Sequence, residues 1–321
     1  MINSVRNAVL TVTNKNNYGY ISPSDFNLMA QNAQMELYEE YFSSYNKIIN
    51  AENLRSSGTG YADINKTFAE AIEVFLVSDF LIPQVANNFY LPSLITTGNE
   101  AYMISKVIVY SSIITSGAQV SATPYQLNDA SATFITDGVN VGDIAVNLSS
   151  TPPTATVITS INSETSLGVL NDIFINYEHE IDYVIYSSSA KSEAEKVTNG
   201  NIFRLTSSNL TSPSMIYPAY TNIGDIMTLY PTTIQGYGAV KADYFRYPKV
   251  PKWTYSSLSG GEPIFDQSQP DYQDFELPRE DEYKLVTKIL EYCGIMIRDI
   301  VVSQFGSAQQ QHEQPTFSMQ Q

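Results

Sequence analysis

The sequence has few of the side chains that metal sites and nucleophilic catalysts require. Cys293 is the only cysteine among 321 residues, so neither an intrachain disulfide nor a thiolate metal cluster can form. The two histidines, His179 and His312, lie far apart, and His179 between two glutamates is a weak metal candidate without a second histidine. The glycine patterns of phosphate and dinucleotide loops and the serine elbow of hydrolases are missing. We therefore predict no catalytic residue, no cofactor and no metal.

Long hydrophobic runs are absent as well. The sequence has no stretch of about 18 apolar residues that could span a bilayer. Residues 1–17 lack the continuous apolar segment of a signal peptide. We expect synthesis in the cytoplasm and no membrane partner.

Positive charge is scarce and unevenly placed. The formal net charge of −16 argues against non-specific binding of nucleic acid. No sequence-specific nucleic-acid partner is predicted either. Residues 107–190 contain no Lys or Arg, residues 241–252 contain four bases and one acid, and residues 262–282 contain eight acids and one base. Adjacent blocks of opposite sign are typical of complementary contacts between copies of one protein. Solvated loops that differ in charge by chance are the alternative.

Helical patterns lie near both ends of the chain. Val9 to Val12 alternate in polarity and predict a short strand or an arm. Ser22-Pro23 then predicts the start of a long helix with Gln34 on its polar face. Tyr38 and Phe42 lie outside the apolar stripe of this helix, which predicts packing against a second helix or a second subunit. A second helix is predicted over residues 63–80. The last helix is predicted to start at Pro278 and to carry Lys288 on its outer side.

Between the helices, short runs rich in Val, Ile, Thr and Tyr predict β-strands, including residues 103–112, 131–136, 143–150, 155–162 and 181–189. A short helix or turn is predicted over residues 191–197. The predicted fold class is α+β, with terminal helices packed with a β-rich body and an inserted small β-barrel or sandwich domain. The predicted domains are residues 1–111 with 187–305, the insert 112–186, and a flexible glutamine-rich tail at 306–321.

Aromatic and basic residues alternate after residue 243, a composition typical of protein interface anchors and also of grooves for single-stranded nucleic acid. The overall acidity favours protein contacts. We predict that this basic segment meets the acidic block 262–282 across subunits. The candidate interface residues are Tyr244, Arg246, Tyr247, Lys249, Lys252, Trp253, Asp266, Asp271, Asp274 and Glu276. Cys293 is predicted to be a buried structural thiol, and Asp143 a turn residue that accepts from local amides.

Three stretches resemble a known family. SVRNAVL with NKNNYGYISPSDFNLMAQNAQMELYEEY near the start, and YFRYPKVPKW with FELPREDEYKLVTKILEYCGIMIRD near the end, resemble virion structural proteins of podovirus-like tailed phages, notably the crAss-like group. The central GVNVGDIAVN, followed by ATVITSINSETSLGVLNDIF, is similar to a small β module of such particles. The two ends cover about a third of the chain.

The resemblance implies a virion component without catalysis, assembled in the cytoplasm of a bacterial host. It implies a homo-oligomeric ring or head-to-tail connector at the portal vertex, with the portal and other tail or ring proteins as partners. The alternative is a host-surface or glycan-binding adhesin, or a fibre-docking protein, that uses residues 112–186. A polysaccharide-cleaving enzyme would need a carboxylate pair such as Glu178 with Glu180 or Asp271 with Asp274.

Overall fold

The computed structural model describes residues 1–15, 21–54, 69–119, 123–150, 153–175, 180–257 and 263–297. Over these residues the protein is a mixed α and β structure whose body is mostly β. Contacts divide the chain into two compact units. The terminal unit contains the described residues of 1–75 and 248–297, and the central unit contains those of 76–247.

Helices and strands alternate irregularly along the chain. The helices are α1 (Ile2–Lys15), α2 (Pro23–Leu54), α3 (Asn199–Thr206) and α4 (Glu282–Ile297), with a one-turn 3-10 helix at Arg279–Asp281 and further helical residues at 69–73. The strands are β1 (Leu76–Phe80), β2 (Asn88–Tyr90), β3 (Ala101–Tyr110), β4 (Ile113–Gln119), β5 (Gln126–Asn128), β6 (Ile144–Asn147), β7 (Thr154–Ser163), β8 (Ser166–Val169), β9 (Ile181–Tyr186), β10 (Lys191–Glu193), β11 (Glu195–Lys196), β12 (Ala219–Ile223), β13 (Ile226–Tyr230), β14 (Val240–Arg246), β15 (Tyr255–Ser257) and β16 (Pro263–Phe265). Among the helices of these described ranges, none combines the length and apolarity that a membrane crossing needs.

Helix α1 occupies the place where we predicted a short strand or an arm. Ile2, Val5 and Val9 are buried, and their spacing of three and four residues places them on one face of a helix. The strand prediction is wrong because the alternation at Val9 to Val12 covers only four residues, whereas the helical pattern covers the whole segment.

Helix α2 confirms the long helix predicted after Ser22. The amide of Asp25 donates to the Ser22 hydroxyl at 3.1 Å, as expected for an N-cap. Tyr38 and Phe42 are both buried, and the Tyr38 ring contacts the rings of Phe42 and Phe75 edge to face. The packing partner that the sequence left open therefore includes Phe75 of the same chain.

The helix predicted over residues 63–80 is wrong in its last part. Residues 63–68 lie outside the described residues, and residues 69–73 are helical. Leu76–Phe80 instead forms β1, which pairs antiparallel with β14. The hydroxyl of Tyr244 on β14 donates to Asp79 on β1 at 2.7 Å. Pairing with this distant strand, and not the helical spacing of the apolar residues, therefore determines the structure of Leu76–Phe80.

The central unit contains three sheets, in the strand orders β1-β14-β3-β10, β11-β12-β13-β2 and β4-β9-β6-β7-β8-β5. A main core joins residues from all three, for example Val240, Met227 and Val146. The six-stranded sheet is made entirely from residues 113–186.

This six-stranded sheet is buried on both faces at its centre. Ile144 and Val146 of β6 pack in the main core, whereas Ala145 between them packs in a second core with Tyr183 and Ile185 of β9. Successive strand residues point to opposite faces. The second core therefore belongs to residues 113–186 alone, and the opposite face joins the rest of the unit.

The edges of the six-stranded sheet are β4 and β5, and a side chain connects them. Gln119 at the end of β4 accepts from the Asn128 amide of β5 at 3.3 Å and donates to the Phe174 carbonyl at 2.9 Å. Strand β7 pairs with β6 through its first residues and with β8 through its later ones. In this part of the described chain, β4 and β5 are not paired as strands.

Two further predictions of local structure are wrong. Residues 131–136 form turns and not a strand, because the amides of Ile135 and Thr136 donate to the Glu164 carboxylate and not to a strand. Residues 191–197 form β10 and β11 on either side of the buried Ala194, where we predicted a helix or turn. The other predicted strands at residues 103–112, 143–150, 155–162 and 181–189 are confirmed by β3, β6, β7 and β9.

Candidate assembly surfaces

Trp253 fixes the basic and aromatic segment against the first two helices. Its side chain is 2% exposed. Its indole N–H donates to Asn3 at 3.1 Å, and the Arg6 guanidinium lies 3.8 Å from the ring centroid. Asn27 of α2 accepts from the Trp253 amide at 2.8 Å and donates to the Trp253 carbonyl at 3.2 Å. The aromatic anchor is therefore occupied within its own chain.

Gln34 of α2 connects the basic segment to the acidic block. Its Nε2 donates to the Lys249 carbonyl at 2.8 Å, and its Oε1 accepts from the Glu276 amide at 3.2 Å. Gln34 is buried, so its predicted place on the polar face is wrong. Asn27 and Gln34 are seven residues apart, about two helical turns, so both amides lie on one face of α2. The seven-residue spacing of these two amides on α2 is the sequence pattern that indicates this face.

The basic segment and the acidic block also pair directly. The amide of Lys252 donates to the Gln273 carbonyl at 2.8 Å, and the amide of Lys249 donates to the Glu276 carboxylate at 2.8 Å. The Lys252 ammonium forms an ion pair with Asp271 in which both side chains stay about half exposed. Because Pro248 has no amide donor, a regular strand is not expected here, and residues 247–251 form none.

These contacts join the two charge blocks within one chain. A contact between the same blocks of neighbouring subunits stays a prediction. Lys252 and Asp271 keep enough exposed area to interact with solvent or with a partner.

Asp274 holds the start of α1. Its carboxylate accepts from the Met1 nitrogen at 2.8 Å and from the Ile2 amide at 2.7 Å. Burial alone would raise the pKa of Asp274, but the hydrogen bonds from Met1, Ile2 and Phe275 outweigh it and lower the pKa. A carboxylate at a helix N-terminus is also favoured by the helix dipole.

Asp266 stabilises the turn after β16. It accepts from the Gln269 side chain at 2.9 Å and from the amide and hydroxyl of Ser268 at 3.0 and 2.9 Å. These hydrogen bonds, that of Gln269 first, lower the pKa of Asp266. Asp266 is therefore explained by local structure.

Charged groups also join α2 to α4. The Lys288 side chain is buried, and its ammonium nitrogen lies 2.8 Å from a carboxylate oxygen of Glu36 and 3.7 Å from one of Glu40. Its predicted place on the outer side of the helix is therefore wrong. The Tyr292 hydroxyl donates to Glu36 at 2.9 Å. Burial and this hydrogen bond raise the pKa of Tyr292 to about 12. Removing either carboxylate would leave the buried Lys288 charge less compensated and would destabilise the packing of α2 against α4.

The other three aromatic and basic candidates lie in the central unit. Tyr244 is fully buried, and burial together with its hydrogen bond to Asp79 raises its pKa. Arg246 donates to the Tyr247 carbonyl at 3.2 Å. The Tyr247 ring meets the Tyr102 ring edge to face. Each of these residues has an intrachain role.

Four acids of residues 107–190 accept hydrogen bonds from other residues of the same block. Asp129 accepts from Ser131 and Tyr183, Asp143 from Asn140 and Ser188, Glu164 from Ile135 and Thr136, and Asp172 from Tyr125. Burial would raise the pKa of Asp129, but its hydrogen bonds lower it. The prediction that Asp143 accepts from a local amide is confirmed at Asn140. Four of the eight acids of this block thus stabilise turns.

Candidate chemistry outside the interface residues stays limited. His179 lies outside the described residues, and among those described no group of three or more potential metal-ligating side chains comes together. The Cys293 thiol is buried 3.2 Å from the Met29 sulfur, and burial raises its pKa to about 12. The prediction of a buried thiol is confirmed.

Large apolar side chains are exposed at several structured positions of the central unit. Exposed residues lie in the loop after β2, in α3, and in the loop that leads into β12. They are Leu94, Ile95, Phe203, Leu210, Ile216 and Tyr217. No pattern in the sequence predicted that these side chains would be exposed.

Comparison with protein-family models finds no match for this chain, and comparison with curated proteins finds none either.

Proposed function

We propose that this protein is a non-enzymatic structural subunit of a tailed-phage virion. In this proposal it forms a homo-oligomeric ring or connector at the portal vertex and joins head and tail through contacts between subunits. The resemblance of the two terminal segments to virion proteins supports the class. The portal and other tail or ring proteins are the expected partners, and the virion is the expected location.

The proposal that copies of this protein assemble rests on the exposed apolar side chains of the central unit. Ile95 is 97% exposed and Tyr217 is 79% exposed. Both lie in turns that are held by hydrogen bonds, at Ser93–Thr96 and at Ser214–Tyr217. Apolar side chains held this far into solvent are typical of surfaces that another protein covers, and aromatic residues are enriched at such interfaces.

The experiment is electron microscopy of the purified full-length chain in negative stain. The proposal predicts ring-shaped particles with a central opening and one rotational symmetry. Particles of single-subunit size at every protein concentration, together with no binding to purified phage portal rings, would count against it.

We also propose that residues 112–186 form an inserted, partly open β-barrel within the central unit. The second core and the connection of β4 to β5 through Gln119 support this proposal. A closed barrel has no free edge, whereas this one keeps the gap between β4 and β5. Hydrogen exchange of the β4 amides tests it, since an open edge exchanges faster than the central strands.

One observation favours the adhesin alternative. Tyr125 is an exposed aromatic residue with a φ of 57°, and its amide donates to Asp172 at 2.8 Å. A non-glycine residue in this conformation stores strain, and such residues cluster at functional sites. A glycan array probed with the full chain and with Tyr125→Ala tests this alternative. Binding that the substitution abolishes would support it, and no binding by the native chain would reject it.

A further inference from the structure

Two unlike apolar turns lie at opposite ends of the hairpin formed by β12 and β13. The first, the tip turn, comprises residues 93–97 and lies at the end where the hairpin reverses. Strand β2 pairs with β13 and runs toward this end, with Tyr90 opposite Ile226. The Leu91 amide then donates to the Asp225 carbonyl of the reversal at 2.9 Å.

The tip turn is held in one conformation. The Ser93 amide donates to the Thr96 hydroxyl at 2.9 Å, and the Thr96 amide donates to the Ser93 hydroxyl at 3.3 Å. Between these residues, Leu94 and Ile95 are 68% and 97% exposed. Ile223 at the hairpin reversal is also largely exposed.

The second, the base turn, comprises residues 214–217 and lies at the other end of the hairpin. Tyr217 is followed by Pro218 and by β12, whose first residue, Ala219, is opposite Tyr230 at the end of β13. The Thr233 hydroxyl, just beyond β13, lies 3.4 Å from the Met215 sulfur. The Ser214 amide donates to the Tyr217 carbonyl at 3.1 Å, which fixes the turn.

The two turns present different side chains to solvent. Ile216 and Tyr217 of the base turn are 71% and 79% exposed. The hairpin between the two turns has five residues in each strand, a length of about 16 Å. Two preformed apolar surfaces at opposite ends of one hairpin fit a head-to-tail contact, in which one end of a subunit meets the other end of the next.

We infer that the tip turn of one copy binds the base turn of a second copy. This inference rests on the proposed self-assembly and names the surfaces that would carry it. Both turns are already ordered, so little conformational entropy is lost when they meet. Asp225 and Glu100 are exposed beside the tip turn and would repel an anionic lipid surface, which favours a protein partner.

The experiment compares two double variants of the full chain. The tip variant carries Leu94→Ser and Ile95→Ser, and the base variant carries Ile216→Ser and Tyr217→Ser. All four side chains are exposed, so the circular dichroism and the midpoint of unfolding should stay unchanged. The matched control, Val141→Ser with Leu170→Ser, removes two similarly exposed apolar residues of the six-stranded sheet region.

Light-scattering mass distinguishes the outcomes. Each double variant should weaken self-association by about tenfold or more, and the control should assemble as the native chain does. An equimolar mixture of the two variants should stop at a heterodimer, because only one intact tip turn and one intact base turn can meet.

Three other results overturn the inference in distinguishable ways. If the native chain assembles and both variants assemble equally well, another surface carries the contact and only this inference fails. If the tip variant alone is defective, the tip turn meets its own copy or a different surface, and the head-to-tail pairing is wrong. If the native chain never assembles, the proposed function fails together with the inference.

Discussion

Asn27 satisfies both backbone hydrogen-bonding groups of Trp253. Its side-chain oxygen accepts from the Trp253 amide at 2.8 Å, and its side-chain nitrogen donates to the Trp253 carbonyl at 3.2 Å. The two residues are 226 positions apart in the sequence. One amide side chain therefore connects the N-terminal helices to the C-terminal segment within the terminal unit.

Replacing Asn27 with alanine tests this connection. Asn27→Ala leaves two partly buried backbone groups without their partner, and we expect a loss of about 1–3 kcal/mol in the free energy of unfolding. Urea unfolding followed by the fluorescence of Trp253, the only tryptophan, measures it. Asn32→Ala, at an exposed position of the same helix, is the matched control and should change little. Equal stability of the two variants would refute the role of Asn27.

Because of Asp274, the stability of the terminal unit should depend on pH in the acidic range. Its folded-state pKa is lowered, so it contributes stability above its unfolded pKa, near 3.9, and this stability is lost as pH falls through the folded value. We expect unfolding followed by Trp253 fluorescence to show a steeper loss of stability below about pH 4 for the native chain than for Asp274→Asn. Parallel pH profiles for the two proteins would show that the contact with Ile2 contributes nothing.

Gly117 leaves room for a buried pair. A Cβ at this position would lie 2.5 Å from the Asp129 carboxylate and 2.7 Å from the Tyr183 hydroxyl, which are themselves hydrogen-bonded at 2.7 Å. Gly117→Ala should therefore destabilise the central unit by about 1–3 kcal/mol. Gly200→Ala is the matched control, since a Cβ there meets no atom within 4 Å and the change should cost no stability. Thermal unfolding by circular dichroism compares them, and no loss in Gly117→Ala would contradict the packing.

The central unit should fold without the terminal segments. Leu76 is opposite Phe245 in the β1–β14 pair, so the two ends of a fragment 76–247 leave from the same end of one strand pair. The fragment keeps both cores of the central unit. We expect dispersed amide signals in its NMR spectrum and a cooperative thermal transition. A spectrum of an unfolded chain would show that residues outside 76–247 are needed for this fold.

Charge reversal separates the intrachain role of Lys252 from the predicted contact between subunits. The pair with Asp271 is about half exposed, so Lys252→Glu should lower stability by no more than about 1 kcal/mol. If the same change also weakens self-association, and Asp271→Lys in the same chain restores it, the charge blocks contribute to assembly. Unchanged mass in the single variant would remove the charge blocks from the interface.

Local patterns predicted the long helix and most strands, because their side-chain periodicity agrees with the final packing. The wrong predictions concern segments whose structure is determined by residues far away in the sequence. Leu76–Phe80 is a strand because β14 lies beside it, and residues 131–136 form turns because Glu164 accepts their amides. For the candidate interface, the sequence predicted that the basic and acidic segments would meet across subunits, whereas the contacts found join them within one chain. It could not show that Gln34 of α2 would join them within one chain, since that contact spans more than 200 residues.

The mass of the full-length chain in solution, measured by light scattering over a range of concentrations, tests self-assembly most directly. The chain has a mass of 35.7 kDa. The account predicts a mass that rises with concentration to a constant whole-number multiple of this value, as expected for a closed ring. A mass that stays at one subunit across the range would contradict it.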